Sequence, residues 1–402
     1  MNSNVRPFAE KYPQLGTAPV STAPAVDPAF FDKEKEHIFG KMWVNMILRE
    51  EDLPNPGDYF VRDIEVLDAS VIVVRGEDGK LRALHNVCTH RGNRLVNDEA
   101  GSCNGFQCDF HGWVFSNQGE LSFVTDEQRF YDLDKQGLGL VPVHLDTWGG
   151  FIFVNLEETP SQSLADSMAE FNEDLKPYPF EQMVLAGRYR YETQANWKTT
   201  MNAFQESYHA AFVHKRSVRQ CLEDDSDPYL ACQRIKLQQN GNQSISVHLP
   251  PHELTPTEQI AYGMGATFTQ GGDGNNNAFP GTAQSQIENW AFDLNIIFPF
   301  SRINVGAGWY YVDAFWPVAQ DKTVYELAFY FPMPANAGTM ISQEYSKIVL
   351  RDLSREDLFT NEVTHNALRS GAIKSIQLSD QEIAVRHQYK MVTDLCDQAA
   401  EG

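Results

Sequence analysis

The sequence predicts an α+β protein of two domains: a small all-β domain, then a larger domain with an antiparallel sheet flanked by helices. From about residue 40 to 156, short strand-like runs such as YFVRDI, VIVVRG and FIFVNL are separated by turn signals such as Asp78-Gly79. After Glu157, helical patterns alternate with strand-like runs. We therefore predict an N-terminal arm at 1–39, the first domain at 40–157 and the second at 158–402.

The composition is that of an ordinary globular chain. The 402 residues are 42% hydrophobic and 21% charged, which allows two domains with separate cores. A formal charge of -22 repels nucleic-acid phosphates and anionic lipid surfaces. The chain has neither an apolar run long enough to span a membrane nor a secretory signal pattern. We expect a cytoplasmic protein without nucleic-acid or membrane partners.

The second domain begins with a polar helical stretch, and its later segments mix helices with strands. We predict strands at 187–192, 228–248, 291–317 and 323–332, and helices at 196–213, 342–352 and 378–395. Residues 270–284 are rich in Gly and Asn and must form a loop, either a surface loop or a lid over a substrate site.

Six cysteines are too few and too scattered for a disulfide framework, so reduced thiols or metal ligands are expected. Two of them belong to a pattern, Cys88-x-His90 and then Cys108-x2-His111. Seventeen residues, 91–107, separate His90 from Cys108. A Cys2His2 zinc finger places both cysteines before both histidines, whereas the order here alternates. A Rieske 2Fe-2S centre needs two cysteines on one iron and two histidines on the other. The pattern therefore favours a Rieske centre, with structural zinc as the alternative.

This pattern resembles the Rieske domain of ring-hydroxylating oxygenase large subunits. The flanking residues match too: His85-Asn86-Val87, Arg91-Gly92 and Phe110-His111-Gly112-Trp113. The resemblance implies that Cys88 and Cys108 bind one iron and that His90 and His111 bind the iron that takes the electron. Cys103 fits neither motif and is expected to be a loop or core cysteine.

A second motif, Glu206-x2-His209-x4-His214, lies in the larger domain. On a regular helix, positions 209 and 214 are about 140° apart, so their imidazoles converge only if the helix ends or deforms between them. Two histidines and one carboxylate with open positions on one side are what a non-haem Fe(II) needs to activate O2.

The surrounding residues resemble the mononuclear-iron motif of the same oxygenases, which opens with Asn196-Trp197-Lys198. The resemblance implies His209 and His214 as iron ligands and places the third on a C-terminal helix within an acidic pair. Glu356-Asp357 fits that description, so we choose Asp357, with Asp352 as the competitor.

Glu206 stands where the family usually has an Asp that bridges an iron-bound His and a Rieske His of a neighbouring subunit. The resemblance implies this electron-transfer bridge for Glu206. Some relatives that act on quaternary ammonium compounds carry Glu here, which slightly favours that substrate class.

The resemblance further implies a helix-grip type catalytic domain, a head-to-tail homotrimer and electrons from NAD(P)H through a reductase or ferredoxin. Some relatives also require a β-subunit. No dinucleotide fingerprint occurs in the sequence, so the nicotinamide is expected to bind the partner. Basic residues near the two metal motifs predict a docking patch on an acidic body: Arg91, Arg94, Lys198, Lys215, Arg216 and Arg219.

Aromatic side chains concentrate in the run 291–317, so Phe298, Phe300, Trp309 and Tyr311 are candidate pocket residues. Asn202, which the resemblance places in the iron motif, is a fifth candidate. Such a wall fits an apolar substrate, and an aromatic cage for a trimethylammonium group fits it too. The leading hypothesis is an oxygenase that hydroxylates an aromatic or other apolar compound. The alternative is oxidative O- or N-demethylation, including that of a quaternary ammonium compound. A Rieske electron carrier is less favoured.

Overall fold

The computed structural model describes residues 6–218, 232–249, 251–268 and 278–398. The chain divides into two compact units, one of Phe39–Met168 and one of Met1–Ile38 with Ala169–Gly402. Antiparallel sheets form the framework of both units, which confirms the α+β class. The domain boundaries proposed from sequence stay predictions. Arg219, Cys221, residues 228–231 of a predicted strand and residues 270–277 of the predicted loop lie outside the described residues.

The N-terminal arm packs on the larger unit. Its elements are α1 (Pro7–Lys11), β1 (Val20–Ser21), α2 (Ala23–Val26) and α3 (Pro28–Glu34). Asp380 accepts hydrogen bonds from the N–H groups of Phe8 (3.1 Å) and Ala9 (2.7 Å), which satisfies two donors at the start of α1.

The regular structure of the small unit consists mainly of short β-strands. Its elements are β2 (Val44–Arg49), β3 (Asp58–Ile64), β4 (Ala69–Arg75), β5 (Leu81–His85), β6 (Ala100–Ser102), β7 (Phe106–Gln107), β8 (Val114–Phe115), β9 (Leu121–Phe123), β10 (Pro142–Trp148), β11 (Phe151–Asn155) and α4 (Leu164–Ser167). One sheet has the order β2-β11-β10-β5-β4-β3-β6 and the other has the order β7-β8-β9.

The core of the small unit contains the two motif cysteines. Alternate residues of β4, Ile72 and Val74, face it, as the two-residue period of a strand requires. Cys88, Cys108 and Trp113 are buried in the same cluster. The apolar core therefore holds the inner part of both motif loops in place.

The larger unit is built on one seven-stranded antiparallel sheet of order β12-β18-β17-β16-β15-β14-β13. Its elements are α5 (Phe171–Asp174), β12 (Val184–Thr193), α6 (Trp197–Asn202), α7 (Ala210–Val213), β13 (Cys232–Leu237), β14 (Gln243–His248), α8 (Pro256–Met264), β15 (Trp290–Ile297), β16 (Ser301–Gly306), β17 (Trp309–Ala319), β18 (Lys322–Phe331), α9 (Ala337–Leu368), β19 (Ser375–Ile376) and α10 (Ile383–Gln398). Strand β19 pairs with β1 of the arm.

Helix α9 has 32 residues and is therefore about 48 Å long. Its buried stripe includes Leu350, Leu353, Asp357, Asn361 and His365, which recur at the three- and four-residue spacing of one helix face. The stripe therefore carries an acidic side chain into the interior at position 357. Within the described ranges, the structure has no helix with the length and apolar character needed to span a bilayer.

A buried ion pair joins the arm to α6. Lys198 Nζ lies 2.5 Å from Glu34 Oε1, and Trp197 Nε1 donates to Glu34 Oε2 (3.1 Å). Both charged side chains are fully buried. Burial raises the pKa of Glu34 and lowers the pKa of Lys198. Lys198 is therefore not part of a surface docking patch, and that element of the sequence prediction is wrong.

We expect Lys198→Met to lower the free energy of unfolding of the larger unit by about 3–5 kcal/mol, because it leaves Glu34 buried without its partner. The double variant Glu34→Gln with Lys198→Met should recover most of that loss, since Gln is neutral and still accepts from Trp197. Denaturant unfolding followed by tryptophan fluorescence measures both values. A double variant as unstable as the single one would contradict this account.

Candidate metal centres

Two loops of the small unit carry the four predicted cluster ligands, and both have the same backbone hydrogen bonds. In each loop, the backbone N–H of the motif cysteine, Cys88 or Cys108, donates a hydrogen bond to the carbonyl of the fifth residue after it (2.8 Å). The glycine four residues after each cysteine, Gly92 or Gly112, donates back to the cysteine carbonyl (2.9 Å). These glycines have φ of 78° and 73°, which side chains with a Cβ rarely adopt. The two motifs therefore form a matched pair of turns.

The four side chains divide into a buried and a partly exposed pair. Cys88 and Cys108 are each 1% exposed, whereas His90 and His111 are partly exposed with ring centroids 4.6 Å apart. His90 stacks on Trp113 at 4.6 Å, which fixes the plane of its ring. The division matches a cluster with a thiolate-bound inner iron and an imidazole-bound outer iron.

Two further observations show that these residues fit such a cluster. His111 Nδ1 is buried and has no hydrogen-bond partner among the described residues, which is the state of a nitrogen that binds a metal. Burial and the neighbouring Cys108 raise the pKa of the Cys88 thiol above its usual range, and hydrogen bonds from the backbone N–H groups of His90 and Arg91 offset only part of that rise. Backbone donors of this kind stabilise thiolate ligands.

A second set of ligand atoms converges in the larger unit. Nε2 of His209 lies 3.2 Å from Nε2 of His214 and 3.3 Å from Oδ1 of Asp357, and His214 Nε2 lies 3.2 Å from the same oxygen. Ligands about 2.1 Å from a metal and at right angles to one another are separated by about 3.0 Å. The three atoms of this triangle therefore lie at separations that would let them bind one divalent metal ion together.

The chemistry of Asp357 also fits a metal ligand. Its Oδ1 is buried and makes no hydrogen bond of ordinary geometry, although both imidazoles are close. Without a metal, burial acts to lower the pKa of His209, but Asp357 and Glu206 raise it to about 10. Burial acts to raise the pKa of Asp357, but His214 and His209 lower it to about 2. The carboxylates thus favour a positive charge between these side chains. A bound divalent ion would supply that charge in place of protons on the imidazoles.

Carboxylates on the far side of each imidazole hold the rings. His209 Nδ1 lies 2.5 Å from Glu206 Oε1, and His214 Nδ1 lies 2.9 Å from Glu356 Oε2. Ser217 Oγ donates to the same Glu356 oxygen (2.6 Å). With its proton on Nδ1, each ring presents the lone pair of Nε2 to the metal position.

The predicted helix 196–213 is interrupted, and the interruption produces this convergence. Asn196 caps α6 by accepting from Lys198 N–H, and α6 ends at Asn202. A single helical turn, α7, follows, with His209 before its first residue and His214 after its last. The sequence argument required such a deformation. Asp352, the competing third ligand, pairs instead with Arg351 at 2.8 Å and is not part of the triangle.

A cavity adjoins the triangle formed by His209, His214 and Asp357. The volume within it that the centre of a water molecule can occupy is ≈ 140 Å³. His209, His214, Asp357 and Glu206 form one part of its lining. The rest is mainly apolar and includes Val247, Leu249, Phe268, Phe292, Leu294, Tyr311, Leu350 and Leu353. The metal position therefore adjoins a largely apolar space of the kind that binds organic molecules.

Of the five predicted pocket residues, Tyr311 is part of the described lining and the other four are not. Trp309 lies two residues before Tyr311, at the start of β17, and its ring stacks on that of Tyr311 with the centroids 6.1 Å apart. Phe298 packs on Gly241, and Phe300 packs on Trp316, at the β15–β16 turn.

Asn202 forms a side-chain hydrogen bond with the hydroxyl of Tyr389. Alternation along a strand predicts which side chains share a face, but which of them reach the cavity depends on the sheet register, which the sequence does not provide.

The sequence alone does not identify Glu356, Phe268 or Phe292 as site residues. Phe292 and Leu294 alternate on β15, so the two-residue period contained a signal for that wall. For Glu356, adjacency to Asp357 was the available signal, but its contact with His214 depends on how α7 and α9 pack.

The remaining basic residues of the predicted docking patch differ in their surroundings. Arg91 is exposed and lies over the Phe110 ring at 5.1 Å, whereas Arg94 pairs with Asp63 at 2.9 Å. Lys215 is exposed over Phe212. Arg91 therefore remains a candidate surface charge beside His90.

Comparison with family models matches both units. Residues 180–398 match the ring hydroxylating alpha subunit (catalytic domain), and residues 43–135 match the Rieske [2Fe-2S] domain.

Among curated relatives, the chain is 33% identical to the carnitine monooxygenase oxygenase subunit of Acinetobacter pittii over 186 residues, 46% of this chain and 49% of that protein. It is 36% identical to the large oxygenase component of the naphthalene 1,2-dioxygenase system of Pseudomonas aeruginosa over 201 residues, 48% and 44% of the two chains. The aligned part thus spans about half the length of these relatives.

Solved structures share the fold over nearly the whole chain. Naphthalene 1,2-dioxygenase from Rhodococcus sp. bound to indole superposes with a TM-score of 0.77 at 22% identity, over 98% of both chains. A quaternary ammonium Rieske monooxygenase in complex with L-carnitine superposes with a TM-score of 0.69 at 21% identity, over 93% of this chain and 95% of that one.

We expect Glu356→Ala to weaken Fe(II) binding at the triangle about 10- to 100-fold, because His214 loses the carboxylate that fixes its tautomer. Competition with a coloured chelator measures the affinity, and the visible absorption of the small unit should stay unchanged. Asp352→Ala, which removes a carboxylate from the same helix outside the triangle, is the matched control. Equal affinities in the two variants would remove Glu356 from the metal site.

Proposed function

This chain belongs to the ring-hydroxylating oxygenase alpha subunits, as its motifs predicted, and from that membership we propose that it is the terminal component of an oxygenase system. It takes electrons through a Rieske cluster to a mononuclear Fe(II), where O2 is used to oxidise an organic substrate. The observation that carries the proposal is the meeting of three ligand atoms within 3.3 Å at the wall of an apolar cavity.

The Rieske cluster would be held by Cys88, His90, Cys108 and His111. When bound there, it supplies one-electron transfer at a potential raised by its histidine ligands. The chain's own contribution is to keep the two thiols dry and the two imidazoles near the surface. Stacking of His90 on Trp113 keeps one of those rings in a fixed plane.

The mononuclear iron would be held by His209, His214 and Asp357. Bound Fe(II) supplies the open coordination positions at which O2 is activated. Glu206 and Glu356 keep the Nδ1 protons on the two rings, so the Nε2 atoms remain free of protons. The apolar side chains of the cavity exclude water from the reacting atoms and place the substrate beside them.

Glu206 would also be the electron-transfer bridge to a neighbouring subunit. Its Oε1 contacts His209 Nδ1, and its Oε2 accepts the His209 N–H at 3.2 Å, so the side chain is held against one ligand. The neighbouring Tyr208 and Phe212 are 46% and 60% exposed, which supports an interface that covers them. We place a head-to-tail homotrimer here, with each subunit's cluster next to another subunit's Glu206.

Electrons would come from NAD(P)H through a reductase, a ferredoxin or both. The exposed Arg91 directly follows His90 on the first cluster loop, and its charge supports docking of an acidic electron carrier there. Some relatives also have a β-subunit, and the proposal holds with or without one.

The cavity favours hydroxylation of an aromatic or other apolar compound, because Phe268, Phe292 and Tyr311 form an apolar wall. The second candidate is demethylation or monooxygenation of a quaternary ammonium compound. Glu206 in place of the usual Asp and the 33% identity to a carnitine monooxygenase subunit favour it. Aromatic faces would bind the trimethylammonium group.

A single-turnover experiment tests the function. The iron-loaded protein is reduced, the reductant is removed, and O2 is admitted with arenes, aryl methyl ethers, sterols and quaternary amines. We expect an oxidised product whose mass gives the reaction: two hydroxyls and two hydrogens gained by a dioxygenase, one oxygen gained or a methyl group lost by a monooxygenase.

Glu206→Gln in the same experiment tests the bridge. We expect both metals to remain and the rate of cluster reoxidation to fall about 10- to 100-fold.

In the experiment with the wild-type protein, reoxidation of the cluster without any product would instead favour an electron carrier.

A further inference from the structure

Arg302 is a buried cation that the proposed reaction does not use. It lies on β16, is 2% exposed and is part of the cavity lining. The rings of Phe204 and Phe315 lie 4.9 and 5.5 Å from its guanidinium carbon. The group is therefore held rigidly at the wall of the space that would take the substrate.

The guanidinium has more donors than the protein uses. Nε donates to Asp313 Oδ1 (2.9 Å), Nη2 donates to Asp313 Oδ2, and Nη1 donates to the carbonyl of Phe204 (2.7 Å). A guanidinium has five N–H groups, so one on each Nη has no acceptor among the described residues. Buried donors are normally paired, so an acceptor is expected.

The charge of Arg302 is already balanced. Asp313 contacts it through both oxygens and also accepts from the Tyr325 hydroxyl (2.9 Å). A substrate carboxylate would add a second, uncompensated negative charge in a buried place. An ammonium group has no lone pair to offer and would lie near a like charge. A neutral oxygen pairs the free N–H groups and adds no charge.

We propose that the substrate carries a neutral hydrogen-bond acceptor, such as a carbonyl, ether or nitro oxygen, that binds the unpaired N–H edge of Arg302. The rest of the substrate is apolar and lies on the aromatic wall. Arg302 is thus a specificity-determining residue that orients the substrate in front of the metal position. This inference rests on the proposed function, because it takes the cavity as the substrate site.

Calorimetric binding to the iron-loaded holoenzyme, without reductant, tests this with four matched probes: indane, 1-indanone, indane-1-carboxylate and an indan-1-yl trimethylammonium salt. We expect 1-indanone to bind at least about tenfold more tightly than each of the other three, since only its oxygen satisfies the buried donors. Any other probe binding as tightly as the ketone, or no binding of the ketone, contradicts the proposal.

The double variant Arg302→Met with Asp313→Leu removes the donors and the balancing charge together. It should bind indane and 1-indanone within about threefold of each other. The exposed pair Arg369 and Asp321, changed in the same way, should keep the wild-type preference. If the cavity variant does not fold, the wild-type probe series alone decides. Binding needs no turnover, so its failure is distinguishable from a failure of the oxygenase function.

Discussion

The structure depends on holding two imidazoles and one carboxylate at a single point inside an apolar domain. These groups repel or attract one another strongly when they are buried, and each needs its proton in one place. Glu206 and Glu356 solve this by binding the Nδ1 atoms, which leaves both Nε2 atoms and Asp357 Oδ1 facing one another at 3.2–3.3 Å. The three atoms are placed so that they could hold a metal ion, which would complete the balance of charge.

The scaffold follows from that requirement. His214 and Glu356 are separated by 142 positions in the chain, so a long rigid element must bring the carboxylates to the histidines. Helix α9 does this with a buried stripe that combines leucine and valine side chains with polar ones. The Glu34–Lys198 pair anchors the start of α6, and Arg302 holds the carbonyl of Phe204, just before Glu206. Buried polar contacts therefore position residues 198–204, the stretch that leads into Glu206 and His209.

Local features could be predicted from the sequence, and contacts between distant segments could not. The Rieske motifs are short and their spacing alone determines the loops, so all four residues and their division into thiols and imidazoles were open to prediction. The fold class followed from strand and helix patterns. Asp357 was chosen through a family resemblance, and the structure brings it to His209 and His214.

The misses have a common physical cause. The local sequence predicts Lys198 as a surface charge, because its buried partner, Glu34, lies 164 positions away in the arm and is not part of that local pattern. The predicted pocket residues Phe298, Phe300 and Trp309 have the right chemistry, but none of them is part of the described cavity lining, and Trp309 packs on the lining residues Phe268, Phe292 and Tyr311. Glu356 contacts His214 only because α7 and α9 pack together.

The most direct test of the central claim is to count metal and sulfide per chain in the wild type and in Asp357→Ala. The account predicts about three iron atoms and about two sulfide ions in the wild type, and about two of each in the variant with the visible spectrum of the cluster unchanged. Zinc in place of iron, or loss of the cluster on changing Asp357, would contradict the assignment of two separate centres.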